Sequence, residues 1–168
     1  DKVEKMDKLI GDILNYSSIE DQGINNIDVN VNEVVERIID TIFIPDHIKV
    51  LIKRELPIVK ADSTRLQQLF QNLMSNAINY IDKEKGLVEV DFEDTKDFYV
   101  FSIKDNGVGI PKEYHEKIFK IFNTLGGFEK STGIGLSIVK KVVELYKGEI
   151  WLESEVGVGT TFFFSTKK

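Results

Sequence analysis

Apolar positions recur along this chain with two different periods, and each switch of period marks a new element. Over residues 1–20, Val3, Met6, Ile10, Ile13 and Ser17 fall at alternating three- and four-residue steps, a coiled-coil-like seam little more than two heptads long. A helix packed on its own domain gives the same pattern. The stretch Asp21 to Asn26 ends it, since Gly, Asn and Asp favour turns. Gly23 is the expected boundary between a segment 1–23 and a domain 24–168. The chain opens in mid-helix with no capping residue, as expected of a piece of a longer protein.

Strand and helix then alternate. Ile27 to Val31 reads as a short strand, and Asn32 as the cap of a helix carrying Val34, Val35, Ile38 and Ile42. His47 to Leu56 reads as a strand entered through Pro45. Asp62 or Ser63 caps a long helix to about Ile81. Val88, Val90 and Phe92 alternate with Glu89, Asp91 and Glu93 in a half-buried strand, 87–93. After a turn at 94–97, Phe98 to Asp105 is the next strand. A helical stretch follows Pro111, a loop runs through Gly126 and Gly127, and a helix covers about Gly135 to Tyr146. Ile150 to Glu155 and Thr160 to Ser165 form a closing hairpin. The expected fold class is α+β, a two-layer sandwich with one sheet covered by helices on a single face.

Composition narrows the function. With 168 residues, 42% hydrophobic and 30% charged, the chain suits one globular domain and a short appendage. A net charge of −6 excludes a general nucleic-acid binder, because the Lys/Arg excess that neutralises backbone phosphates is missing. No cysteine is present, so thiolate metal sites are excluded.

The chemistry concentrates at four places. At 100° per residue the 62–81 helix has Leu66, Phe70, Leu73 and Ala77 on one face, bordered by Leu69 and Tyr80. Arg65, Asn72, Asn76 and Asn79 fall together just outside that border. Three carboxamides on one stripe point to a site, and carboxamide oxygens suit a hard cation such as Mg²⁺ that also shares phosphate oxygens. In strand 98–105, Asp105 continues the buried parity of Tyr99, Phe101 and Ile103, where a carboxylate is costly unless something donates to it. Gly107 and Gly109 follow it and permit tight turns, and an exocyclic amine such as adenine N6 would satisfy the acid. Ser131 to Ser137 opens a helix with glycines, where free N–H groups and partial positive charge receive phosphate. Gly157-Val158-Gly159-Thr160 forms the last cluster, in the hairpin.

In this order the pieces resemble the sensor histidine kinases: Asn72 to Tyr80 their asparagine box, Asp105 to Gly109 the first glycine box, Ile118 to Phe122 the phenylalanine box, Gly133 to Val139 the second glycine box and Gly157 to Thr160 the last. The resemblance implies the Bergerat ATP-binding fold and, by position, roles for single residues. Asn76 would ligate Mg²⁺ with support from Asn72, and Tyr80 would pack near the adenine. Asp105 would accept from adenine N6, with Gly107 and Gly109 shaping that wall. Gly133 and Gly135 would present the phosphate-binding backbone, and Thr160 would add a hydroxyl near the base. Asn79, Ile110, Phe122, Ile134 and Leu136 complete the implied nucleotide contacts. Residues 123–132 would be the ATP lid, and 1–20 the end of the second helix of the dimerising hairpin. The implied partners are ATP, the histidine-bearing dimerisation domain of the same protein and a response regulator receiver domain. The full-length protein is expected to be a cytoplasmic-facing homodimer, with or without a membrane anchor.

Hydrolytic members of the superfamily carry a Glu where this chain has Asn72. A carboxamide is no base, so slow hydrolysis and transfer to an imidazole are expected. Asn79 stands where many histidine kinases have Lys, so phosphate charge compensation is expected either to be weaker there or to pass to Lys130 or Lys140; Ser131 replaces a glycine. These two departures support the alternative of a nucleotide-sensing module that has lost transfer chemistry. His115-Glu116 imitates a phosphoacceptor pair but lies inside the catalytic segment, so the acceptor histidine is expected elsewhere.

Overall fold

The computed structural model describes residues 2–21, 23–123 and 132–168. In chain order they form α1 (Lys2–Asp21), β1 (Ile27–Asn30), α2 (Val31–Thr41), β2 (Ile48–Ile52), β3 (Ile58–Ala61), α3 (Ser63–Asn79), β4 (Gly86–Asp94), β5 (Phe98–Asp105), α4 (Gly135–Leu145), β6 (Ile150–Glu155) and β7 (Gly159–Lys167). The helical stretch after Pro111 is two isolated 3₁₀ turns, Lys112–Tyr114 and Lys117–Phe119.

A five-stranded mixed sheet has the order β2-β4-β5-β7-β6, with β2 parallel to β4 and the other neighbours antiparallel. Its helical face receives α3 and α4. Phe70 of α3 sits edge-on against Phe101 of β5 and Phe164 of β7, at 5.5 and 5.2 Å between centroids. Leu66, Leu69 and Leu73 are fully buried beside it, as are Val139, Val142 and Val143 of α4. The helix periodicity thus translates directly into the α/β interface.

Two boundaries differ from the sequence reading. The strand expected over 47–56 ends at Ile52, and residues 58–61 form β3, paired antiparallel with β1 from Ile27↔Ala61 to Asn30↔Ile58. The chain leaves the sheet at Lys53 and Arg54, whose side chains turn back to Glu89 and Asp91 of β4. The cap of α2 is Asn30, not Asn32. Asn30 ends β1 in extended conformation, and its Oδ1 accepts from the N–H of Asn32 and of Glu33. The Asn32 side-chain oxygen is committed to the N–H of Leu56 instead. Replacing Asn30 with Ala is therefore expected to cost about 1 kcal/mol of stability, read as a lower denaturant midpoint with an unchanged slope.

Helix α1 carries two stripes. Val3, Met6, Ile10 and Ile13 of the heptad seam are exposed, Val3 at 62%. A different stripe, Leu9, Tyr16 and Ile19, packs on the domain. Cations from the domain cap its C-terminal carbonyls: Arg65 Nη2 donates to Ser18 O and Lys141 Nζ to Tyr16 O, at 3.1 and 3.2 Å. Positive charge at a helix C-terminus is favourable. No described helix is long and apolar enough to cross a membrane.

Candidate functional site

The polar stripe of α3 faces a cavity of about 1020 Å³ bounded by α1, the start of α4 and the turn after β5. Asn72, Asn76 and Asn79 all line it, together with Arg65. Asn72 is oriented by its own helix, because its Nδ2 donates to Gln68 O at 3.0 Å. That leaves Oδ1 toward α4, 3.1 Å from the point where a Cβ on Gly135 would stand. At its C-terminus α3 connects to the next wall of the cavity: Tyr80 O accepts from Val108 N at 3.0 Å. Gly107 passes so close to this carbonyl that a Cβ there would lie 2.4 Å from it. Only glycine permits that approach.

Asp105 occupies the end of β5, opposite Val88 on one side and Thr160 on the other. It is buried, 6% exposed, and lines the cavity. Its Oδ1 accepts from Gly107 N at 2.8 Å and from Thr160 N at 3.3 Å. Burial pushes the carboxyl up to about 6, against the pull of these two N–H groups and of the Lys83 charge. The acid is therefore ionised at neutral pH and destabilised by its surroundings, the state of a group waiting for a donor. Thr160 Oγ1 lies 2.8 Å from Ser154 Oγ, which also accepts from Ile110 N at 2.7 Å. These bonds pin the far wall.

At the opposite end, α4 begins beside Asn72. Among the described residues no side chain caps it, so its first-turn N–H groups are open to a ligand. Gly133 precedes it at φ +72°, with its carbonyl accepting from Phe122 N at 2.8 Å. A carboxylate wall, a carboxamide stripe and an uncapped helix start thus surround one cavity.

A family model described as histidine kinase-, DNA gyrase B- and HSP90-like ATPase matches residues 61–168, which contain all of these elements. The chain belongs to this ATPase family. Cyanobacterial phytochrome A of Nostoc sp. is 37% identical over 173 residues, covering 97% of this chain and 22% of the relative. Sensor histidine kinase WalK of Bacillus subtilis is 32% identical over 180 residues, covering 98% of this chain and 29% of that protein. The chain thus spans under a third of these relatives. The solved catalytic domain of histidine kinase ThkA is 31% identical with a TM-score of 0.71, over 86% of this chain and 96% of that one. ThkA in complex with response regulator TrrA matches at 28% identity and a TM-score of 0.75, over 99% and 48%. The fold is that of histidine kinase catalytic domains within the ATPase family.

Of the residues expected at the ATPase site, the structure brings Asn72, Asn76, Asn79, Tyr80, Asp105, Gly109, Ile110, Gly133, Gly135, Leu136 and Thr160 to the one cavity. Three others do not line it. Gly107 sits behind Asp105, Ile134 is in the core, and Phe122 is 59% exposed with φ 64°. Phe119 serves the phenylalanine box from inside, edge-on to the cavity residue Phe162 at 6.2 Å. Lys140, expected near the phosphates, points elsewhere, into a shallow concavity with Glu144 and Trp151. Lys130, Ser131 and the rest of 124–131, within the lid expected over 123–132, lie outside the described residues. Among the described residues the cations at the cavity are Arg65, on the α3 stripe as its helical position predicts, and Lys8 of α1, brought there by tertiary docking that no local pattern signals. Asp12 of α1 is there too and accepts from Thr132 Oγ1 at 2.7 Å. His115 Nε2 lies 2.8 Å from Ile110 O, a contact that ties it to the wall near Asp105.

Proposed function

We propose that this domain binds Mg·ATP in the α3–α4 cavity and passes the γ-phosphoryl to a histidine on another segment of the full-length protein. The observation that carries the reading is the placement of one buried, ionised acid and one carboxamide stripe at opposite ends of a cavity large enough for a nucleotide. Asp105 would accept from the exocyclic amine of adenine, a further donor beside the Gly107 and Thr160 N–H groups that offsets the cost of its burial. Asn72 and Asn76 would hold the metal. Among the described residues no cluster of acids or histidines makes a metal site of its own, which fits a cation that arrives with the nucleotide and keeps phosphate oxygens as ligands. When bound, Mg²⁺ supplies charge neutralisation at the phosphates. The first-turn N–H groups of α4, with Arg65 and Lys8, would steady the phosphate chain.

Phosphoryl transfer needs position more than covalent help from the protein. An imidazole nitrogen forms the P–N bond as the bond from the γ-phosphorus to the bridging oxygen breaks. ADP leaves with that oxygen, and the imidazole N–H proton goes to solvent. Asn72 cannot take a proton from water, so hydrolysis by the domain alone should be slow. The work would be cytoplasmic, where ATP is available. The exposed Val3–Ile13 stripe of α1 fits a dimerising hairpin, whose end would be the segment 1–23, docked here on the catalytic domain 24–168. The ThkA–TrrA complex supports a response regulator receiver domain as the downstream partner.

Calorimetry with MgATP on this chain, followed by labelled ATP after adding the histidine-bearing hairpin, tests the reading. Heat of binding, little free phosphate from the chain alone and acid-labile label on the hairpin are expected. Binding without any label on the hairpin would favour the nucleotide-sensing alternative, and no binding at all would end both.

A further inference from the structure

Residues 82–85 read Asp-Lys-Glu-Lys, a charge run that sequence alone assigns to solvent. Lys83 is nevertheless half-buried, and its ammonium lies within hydrogen-bond reach of four backbone carbonyls. These are Asn106 O at 2.6 Å, Gly107 O at 3.3 Å, Gly157 O at 2.9 Å and Val158 O at 3.2 Å. They belong to two turns, the one after β5 and the one joining β6 to β7. The turns also meet through Gly157 N to Val108 O at 2.8 Å. An ammonium has three N–H groups, so they are shared among the four oxygens.

The shortest contact matters most. Asn106 C=O and Gly107 N–H are the two ends of one peptide unit, and that N–H is the closer donor to Asp105 Oδ1. A cation on the oxygen fixes the plane of the peptide and polarises its N–H toward the carboxylate. We propose that Lys83 is a positioning residue for the base-binding end of the cavity, holding both turns so that Asp105 presents its carboxylate to an adenine amine. The proposal rests on the nucleotide reading given above. The Lys83 charge also opposes the desolvation of Asp105, in the same direction as the geometry. Neighbouring Asn106 is fastened separately, its Oδ1 accepting from Leu87 N and its Nδ2 donating to Lys85 O. The turn therefore remains attached to β4 when Lys83 is changed, and the variant is expected to fold.

The test compares wild type with Lys83→Met, which keeps an unbranched side chain one atom shorter and removes the charge. MgATP and magnesium tripolyphosphate, which lacks the base, are titrated by calorimetry. Loss of charge-assisted hydrogen bonds predicts about tenfold weaker MgATP binding, with tripolyphosphate unchanged. In Lys83→Ala, propylammonium chloride should restore part of the MgATP affinity, while potassium chloride at equal ionic strength should not. Exchange of the Gly107 amide should be faster in both variants, a readout that needs no nucleotide. Equal MgATP affinity in Lys83→Met and wild type overturns the proposal, as does an equal loss for tripolyphosphate, which would mean general loosening. Failure of wild type to bind MgATP at all, with Gly107 exchange still dependent on Lys83, sinks the nucleotide reading while leaving the Lys83–Asp105 link in place.

Discussion

Asp105→Asn should make the nucleotide-free domain more stable and, at the same time, a much poorer nucleotide binder. The Asp105 carboxyl is raised from 3.8 to about 6, with burial the largest cause. Between those values the native state holds a proton that the unfolded chain has already released. Stability therefore falls as pH rises from about 4 to about 6 and stays low above it, a loss on the order of 2–3 kcal/mol for a shift of this size. The carboxamide introduced by Asp105→Asn would keep an oxygen for the Gly107 and Thr160 N–H groups without carrying the charge. Relative to wild type the variant should gain about 1–2 kcal/mol at pH 7.5, a melting point higher by a few degrees, with the difference vanishing near pH 4. Its carboxamide nitrogen, however, would meet the adenine amine donor to donor. MgATP affinity should fall about 100-fold. Wild-type affinity should itself weaken about tenfold from pH 7 to pH 5, as the acceptor protonates. Paired melts and calorimetry across pH 4–8 check both halves. A variant that is less stable at every pH, or that binds MgATP normally, would show that Asp105 is an ordinary turn-forming acid.

How much of this was legible beforehand depends on how local the cause is. Strand Phe98–Asp105 and its parity are set by alternation within eight residues, so both its limits and the inward aspartate follow from sequence. The carboxamide stripe follows equally from the rotation of α3, since the apolar face fixes where Asn72 and Asn76 must lie. β3 was not legible. It has four residues, is bracketed by Pro57 and the capping Asp62, and owes its pairing to β1, on the far side of α2 and β2 in the sequence. Periodicity needs more length than that. The choice between Asn30 and Asn32 as cap was equally hidden, because both can cap and the end of β1 decides. Cation placement was the least legible. Lys140 looked well placed by its distance from the glycine cluster, but five residues along α4 turn it to another face, while Lys8 arrives from a different element altogether. Lys83 carries no signal at all, because a lysine in a short run of mixed charges is ordinarily solvated.

One substitution made in two glycine clusters should give opposite phenotypes. Gly109 has φ +74°, and an added Cβ would lie 2.2 Å from Glu155 O, a backbone atom at the end of β6. Alanine there meets left-handed strain and a carbonyl that cannot move without parting the hairpin from the turn after β5. Gly109→Ala should lose about 3 kcal/mol or more. Gly135 starts α4, where the backbone is helical and alanine is the better helix former by up to about 1 kcal/mol. Its added Cβ would meet only a side-chain atom, Asn72 Oδ1 at 3.1 Å. Gly135→Ala should therefore keep the wild-type urea midpoint or raise it slightly. The new methyl, however, would stand between the start of α4 and the carboxamide expected to support the metal, and it would push the phosphate chain off the first-turn N–H groups. MgATP affinity should fall at least about tenfold, the cost of losing one charge-assisted contact. Urea unfolding and calorimetry on the same two variants separate the cases. If Gly135→Ala unfolds as readily as Gly109→Ala, the second glycine cluster serves the fold. If it stays folded and binds MgATP like wild type, the phosphates do not lie against α4.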